Sequence, residues 1–155
     1  MRTVLLMRHA DALPDSPGGD HERPLSEWGR DDARRIAEVI AQEHLVPARI
    51  IVSTARRTRE TVAGIVQHLG DVPVVEEPRL YMATPSTVKE IMEDHVSQVT
   101  PVLIVAHNPG MQTIVSSIAG TLLPFPTASL AHVILHPEQA PEVKHVWRTS
   151  EMTLS

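Results

Sequence analysis

The sequence predicts an α/β fold: a three-layer sandwich with a mostly parallel central sheet flanked by helices and antiparallel strands at one edge. Short apolar runs rich in β-branched residues alternate with segments whose apolar residues recur at helical spacing, which is typical of strand–helix–strand units. After the last helical segment, two strand-like runs are joined only by Pro137–Pro141, which favours an antiparallel pair. The 155 residues suit one domain spanning residues 1–155.

The first half of the chain predicts three strands and two helices. Thr3–Arg8 is the first strand, apolar from its second residue until its last. Ser26 is expected to cap a helix that runs to about His44 with one apolar stripe. Arg49–Ser53 is the second strand, and a helix over Arg56–Leu69 follows it with its branched side chains on one face. The third strand is Val72–Glu76.

The second half continues the alternation. Ser86 is expected to cap the third helix, and Val102–His107 is a strongly apolar fourth strand. Asn108 and Pro109 have the residue types of an N-cap and a first helical residue, so they predict the start of the fourth helix. The last two predicted strands are Leu130–His136 and Val143–Thr149.

Composition excludes several functional classes. The absence of cysteine excludes disulfides, thiol catalysis and thiolate metal sites. The net charge of −5, with no dense basic run, disfavours nucleic-acid binding. No apolar stretch approaches the ~18 residues of a membrane span and no signal peptide is evident, so we expect a cytoplasmic protein without membrane contact. We expect a monomer or weak oligomer.

Cations and imidazoles follow the predicted parallel strands. Arg8-His9 ends the first strand, Arg56-Arg57 follows the second, and His107 follows the fourth. The carboxyl ends of parallel strands meet at one edge, so these groups should converge on a tetrahedral dianion beside two helix N-termini. Singly, each residue has a structural explanation: Arg8 pairing with a carboxylate, Arg56 pairing with Glu60, or His107 packing in the core. Spacing alone leaves the choice between Arg56 and Arg57 open.

Four segments in order carry a resemblance to a known family. They are Leu6–Ala10, Arg23–Ser26 with Gly29, Ser53–Thr61, and Val105–Gly110. Together they resemble the histidine phosphatase (phosphoglycerate-mutase-like) superfamily and cover the chain to about residue 120. The short length and the Arg23-Pro24-Leu25 and His107–Gly110 segments are most similar to the SixA-type phosphohistidine phosphatases.

The resemblance implies roles for these residues. It implies that His9 is the nucleophile and that Arg8, Arg57 and His107 clamp the phosphoryl oxygens, which selects Arg57 over Arg56. We expect His107 to be protonated. Arg23 and Asn108 are expected as additional substrate contacts. The resemblance implies no cofactor, and we expect no metal; His132 and His136 share a face of a predicted strand, but without a nearby third ligand they indicate packing.

Three positions depart from the family's pattern. Ala10 replaces a glycine, and Thr54 replaces a proline, which we expect to leave a capping hydroxyl at the helix start. Met82 stands where members acting on phosphomonoesters carry a glutamate as general acid, and Glu76 and Glu77 come earlier in the chain. Without that acid, a P–N bond should be easier to cleave than a P–O bond.

The sequence therefore predicts a metal-independent phosphatase that forms a phosphohistidine on His9. Phosphohistidine in proteins is the favoured substrate. One alternative is a small-molecule phosphomonoester phosphatase with an acid from Glu77 or from the irregular Ala10–Pro24 loop. Another is a non-catalytic phosphate-binding module. The loop itself has the length of a functional loop or of an insertion without fixed structure.

Overall fold

Six strands and four α-helices form the fold over residues 1–152, which the computed structural model describes. The strands are β1 (Arg2–Arg8), β2 (Arg49–Val52), β3 (Val74–Glu76), β4 (Val102–Ala106), β5 (Leu130–Leu135) and β6 (Glu142–Trp147). The helices are α1 (Glu27–Gln42), α2 (Arg56–Leu69), α3 (Pro85–Val96) and α4 (Gly110–Ala119). Strand ends differ from the predicted ones by one or two residues, and the predicted α/β sandwich is confirmed.

The sheet is parallel at its centre and antiparallel at one edge. Its order is β3-β2-β4-β1-β5-β6. β3, β2, β4 and β1 pair in parallel, β5 pairs antiparallel with β1, and β6 pairs antiparallel with β5. The carboxyl ends of β1, β4 and β2 therefore lie side by side, and the residues that follow them share one rim of the sheet.

Both faces of the central strands are covered. In β1, Val4 and Leu6 pack into the cluster beneath α3 and α4, whereas Leu5 and Met7 pack into the cluster beneath α1 and α2. All four side chains are fully buried. Burial on both faces explains why these strands are continuous apolar runs and not alternating ones.

Two helix starts differ from the sequence prediction. Thr84, not Ser86, caps α3, because its side chain accepts the backbone N–H of Thr87 and the proline after it is preorganised for the first helical turn. Pro109, not Asn108, stands directly before α4. Ser26 caps α1 as predicted, accepting from the backbone of Gly29.

His132 and His136, which the sequence places on one strand face, have different surroundings. His132 is buried on β5, and His136 follows that strand with its Nε2 3.5 Å from a carboxylate oxygen of Glu142. Over residues 1–152, no three histidine, aspartate or glutamate side chains group as metal ligands would. The helices of this same part of the chain are too short or too polar to cross a bilayer.

Candidate active site

The sheet rim brings together three of the predicted strand-end groups around His9. Arg8 is the last residue of β1 and His9 is the next, while Arg57 lies in the first turn of α2 and His107 directly follows β4. The Arg57 Nε–H donates to His9 Nε2 over 3.3 Å, and the rings of His9 and His107 are 5.3 Å apart between centroids. Residues that are about 50 and 100 positions apart thus share one site, as the strand order requires.

His9 is held as a neutral imidazole with Nε2 free of its own proton. Its Nδ1 lies 2.7 Å from the carbonyl oxygen of Ala10. A carbonyl only accepts, so Nδ1 carries the proton and Nε2 keeps its lone pair. Burial lowers the pKa of His9 to about 4, and the charges of Arg57, Arg8 and Arg23 act in the same direction. The ring is therefore uncharged at neutral pH, as a nitrogen nucleophile must be.

His107 is also neutral, which corrects the prediction that it is protonated. Burial lowers its pKa to about 3, with further contributions from His9 and Arg57. Its Nε2 lies 2.8 Å from the hydroxyl of Ser53, and that hydroxyl oxygen accepts the backbone N–H of Ala55 over 3.4 Å. The hydroxyl proton of Ser53 can point at Nε2, and in that arrangement the imidazole proton of His107 is on Nδ1. His107 can donate a hydrogen bond without being charged.

Three buried polar atoms at this rim lack a partner within residues 1–152. They are Nε of Arg8, Nδ1 of His107 and the hydroxyl oxygen of Ser129, whose backbone carbonyl accepts the Arg8 N–H. The Arg8 guanidinium makes one long contact, from Nη1 to the carbonyl of Phe125 at 3.5 Å. Burial and the nearby charge of Arg57 both lower the pKa of Arg8. Because unpaired buried polar groups destabilise a protein, this arrangement favours an anion that would accept from them.

The structure places Arg57, and not Arg56, beside His9. The Arg57 side chain is only 7% exposed. Arg56 is 44% exposed and its Nε lies 3.0 Å from Glu60 Oε2, which is the surface pair that the sequence allows. Adjacent helical residues face different directions, so one arginine enters the site and the other remains outside.

Arg23 and Asn108, the two additional substrate contacts that were predicted, form hydrogen bonds with different parts of the protein. Arg23 lies on the loop over the site, with its Nε 3.0 Å from Asp20 Oδ1 and its Nη1 donating to the Leu13 carbonyl. The Asn108 amide nitrogen donates to the Phe125 carbonyl at 2.8 Å, and its oxygen accepts the backbone N–H of Gln112. These contacts fasten the start of α4 to the Phe125 segment. A substrate contact by Asn108 stays a prediction.

Met82 lines the site, while the glutamates near it do not. It is 82% exposed and lines a pocket of about 400 Å³ with Arg57 and His107. Gly110 lets the start of α4 lie against the backbone of Ala83, the residue after Met82, because a Cβ at Gly110 would lie 2.6 Å from the Ala83 carbonyl oxygen. Glu77 accepts from the backbone and the guanidinium of Arg79.

The carboxylate that does reach the site comes from the Ala10–Pro24 loop. Asp20 accepts from Arg57 Nη2 at 3.3 Å, and Tyr81 donates its hydroxyl proton to Asp20 over 2.5 Å. The Tyr81 hydrogen bond is the largest cause that lowers the pKa of Asp20 to about 2. Sequence reasoning points to the loop without singling out Asp20 or Tyr81. The available signal is an acidic residue three positions before Arg23.

Contacts at both ends and at the middle anchor this loop. Ala12 bridges to Leu25, and Gly29 lets α1 approach it, because a Cβ there would lie 2.0 Å from the Asp11 carbonyl oxygen. The His21 ring lies 3.0 Å from the Thr54 hydroxyl. Thr54 therefore does not cap α2, whose N-cap is Ala55 without a side-chain bond. These contacts favour a functional loop over an insertion without fixed structure.

Comparison with known sequences agrees with this geometry. The model of the histidine phosphatase superfamily (branch 1) matches residues 4–81. An uncharacterized protein of Mycobacterium tuberculosis is 36% identical over 120 residues, covering 74% of this chain and 73% of that protein. An uncharacterized chloroplastic protein of Arabidopsis thaliana is 28% identical over 141 residues, covering 84% of this chain and 65% of that protein.

Comparison with solved structures gives the same assignment. A candidate phosphohistidine phosphatase SixA from Agrobacterium tumefaciens superimposes with a TM-score of 0.85 at 28% identity, covering 95% of this chain and 97% of that one. Two structures share the fold at lower identity: the protein histidine phosphatase SixA with tungstate (TM-score 0.84, 24% identity, 93% and 95% covered) and a mycobacterial glucosyl-3-phosphoglycerate phosphatase (0.67, 16%, 93% and 97%). The chain belongs to the histidine phosphatase superfamily, branch 1, and its fold is that of the SixA phosphohistidine phosphatases.

Proposed function

We propose that this protein is a phosphatase that works through a covalent phosphohistidine on His9 and acts on phosphohistidine in proteins. The observation that carries the proposal is a neutral His9 whose proton is fixed on Nδ1 and whose Nε2 faces Arg57. Membership of the histidine phosphatase superfamily supports phosphatase activity, and the SixA-like neighbours support the substrate class.

In the first step, His9 Nε2 attacks phosphorus in line with the leaving group. The bond between His9 Nε2 and phosphorus forms while the bond from phosphorus to the substrate nitrogen breaks. Arg8, Arg57 and the His107 Nδ1–H stabilise the negative charge on the three equatorial oxygens. The hydrogen bond from His9 Nδ1 to Ala10 stabilises the positive charge that develops on the attacking ring.

In the second step, water attacks the phosphoryl group from the side that the product left. The phosphorus–Nε2 bond breaks, His9 returns to its neutral form, and the water proton leaves with phosphate or solvent. The arginines neutralise the dianion throughout, so we propose that turnover needs no metal ion. Activity should persist in excess EDTA, and loss of activity that Mg²⁺ restores would contradict this part of the proposal.

The exposed Met82 supports a P–N substrate over a P–O substrate. A positioned acid is typically worth about 10²–10⁴-fold to an alkoxide leaving group. An imidazole leaves as a neutral molecule once solvent has protonated its ring, so its departure depends much less on such an acid. Met82 has no proton to give, and Asp20, with its pKa lowered to about 2, is a carboxylate at neutral pH.

A small-molecule phosphomonoesterase is the second candidate. The observation in its favour is that Asp20 brings a carboxylate within contact of Arg57. The depressed pKa of Asp20 weighs against its use as a proton donor, which leaves phosphohistidine as the favoured substrate. A purely phosphate-binding module is less favoured, because binding alone does not require a histidine with a fixed tautomer.

A substrate panel tests the proposal. The purified protein should dephosphorylate a phosphohistidine-bearing protein or peptide far faster than sugar phosphates at equal concentration. Acid-quenched turnover should trap an acid-labile phosphoenzyme in the wild type and not in His9→Ala. Faster hydrolysis of sugar phosphates would favour the second candidate, and binding without turnover would favour the module.

A further inference from the structure

Asp20 occupies two hydrogen-bond donors of Arg57, the arginine that is proposed to clamp the phosphoryl group. Its carboxylate accepts from Arg57 Nη2 at 3.3 Å, and its backbone carbonyl accepts from Arg57 Nη1 at 2.9 Å. Arg57 thus has two of its donors directed at one loop residue, and a third, Nε, directed at His9. Carboxylate and phosphoryl oxygens bind a guanidinium in the same way, so Asp20 holds a position that a substrate oxygen would need.

Two further side chains fix this carboxylate. The Tyr81 hydroxyl donates to Oδ2, which is the same oxygen that faces Arg57, and Arg23 Nε donates to Oδ1. The Tyr81 ring also packs edge-on against both His21 and His107. Residues from the loop, from α2 and from the segment after β3 therefore join at Asp20, and the contact is more than a chance surface pair.

The carboxylate can nevertheless leave Arg57 without unfolding the loop. Its side chain is 55% exposed, so solvent is available on one side. The loop base is held separately by the Ala12–Leu25 bridge and by the bond from Arg23 Nη1 to Leu13. Gly19, with φ of +89°, precedes Asp20 and gives the backbone a freedom that residues with a Cβ lack.

We propose that Asp20 is an internal anion that competes with phosphoryl groups for Arg57, so that a phosphorylated substrate must displace it to bind. The inference rests on the proposed function, because it needs Arg57 to bind the phosphoryl group. Asp20 weakens the binding of free phosphate, which has only the clamp to hold it. A phosphorylated protein offers additional contacts that offset the loss, so the device favours protein-bound phosphoryl groups and release of the phosphate product.

Calorimetry with inorganic phosphate tests this inference directly. Asp20→Asn should bind phosphate about three- to tenfold more tightly than the wild type, because one competing charge next to Arg57 is removed. Asp15→Asn is the matched control: it makes the same substitution at an exposed position of the same loop and should change the affinity less than twofold. Tyr81→Phe removes the hydroxyl that donates to the Asp20 carboxylate and should tighten phosphate binding by an intermediate factor.

Unchanged or weaker phosphate binding in both Asp20→Asn and Tyr81→Phe would overturn the inference, since it would mean that Asp20 only orders Arg57. An equal gain in Asp15→Asn would also overturn it and would indicate a general charge effect. Failure of the proposed function is distinguishable, because it would leave the wild type without a trapped phosphoenzyme whatever the phosphate affinities are.

Discussion

Replacing His107 by glutamine should reduce the acid sensitivity of the fold. A histidine whose pKa is lowered on folding binds its proton more readily in the unfolded chain. Stability is therefore complete above the unfolded pKa of 6.5 and is lost as the pH falls toward the folded pKa, which is about 3 for His107 and about 4 for His9. Between pH 7 and pH 5, only the unfolded chain takes up these protons.

The size of the effect follows from these pKa values. Each of the two buried rings should cost about 2 kcal/mol of unfolding free energy between pH 7 and pH 5, or about 4 kcal/mol for the pair. A typical domain has about 5–15 kcal/mol of stability, so the change is large enough to measure. His107→Gln should lose about 2 kcal/mol less than the wild type over this interval.

Urea denaturation at pH 7 and pH 5 measures this difference. The buffer must contain no phosphate, because an anion that binds the folded chain would itself raise the free energy of unfolding. His68→Gln, at an exposed position of α2, controls for the loss of a histidine that is not buried. If His107→Gln and the wild type lost the same free energy between the two pH values, His107 would not be a neutral buried ring, and its Nδ1–H tautomer opposite Ser53 would be contradicted.

Three other predictions test the site. Arg57→Ala should lower kcat/KM at least 100-fold and Arg56→Ala less than about threefold, because only Arg57 touches His9; equal losses in steady-state assays would contradict the assignment. Ser53→Ala should lower kcat/KM about tenfold and shift the His107 ring away from the Nδ1–H tautomer, which ¹⁵N chemical shifts report; an unchanged tautomer would show that Ser53 does not fix the imidazole proton. Met82→Glu should raise the hydrolysis of an alkyl phosphomonoester about tenfold or more, with little change for phosphohistidine; no gain would show that the lining position of Met82 is not the position of an acid.

The strands and helices could be predicted from the sequence because the pattern of apolar residues within each segment specifies it. Strands such as β1 and β4 are apolar on both faces, and the helices between them carry apolar stripes. Parallel pairing places the ends of such strands on one rim, so the strand pattern predicts that His9 and His107 share that rim. The pairing of β1 with β4, which the structure shows, makes them neighbours. The choice of Arg57 over Arg56 came from the family resemblance, and the contact with His9 agrees with it.

Charge state and long-range contacts were decided only by the tertiary structure. We expected a protonated His107, but burial, together with the charges of His9 and Arg57, lowers its pKa and keeps the ring neutral, and no sequence pattern reports burial of that degree. Asp20 and Tyr81 are 61 positions apart and meet only because the loop after β1 and the segment after β3 cross the same rim. The sequence by itself determined which elements form and which strand ends carry cations. The folded structure determined where protons reside and which carboxylate faces the clamp, because both depend on the distance between groups that the chain keeps far apart.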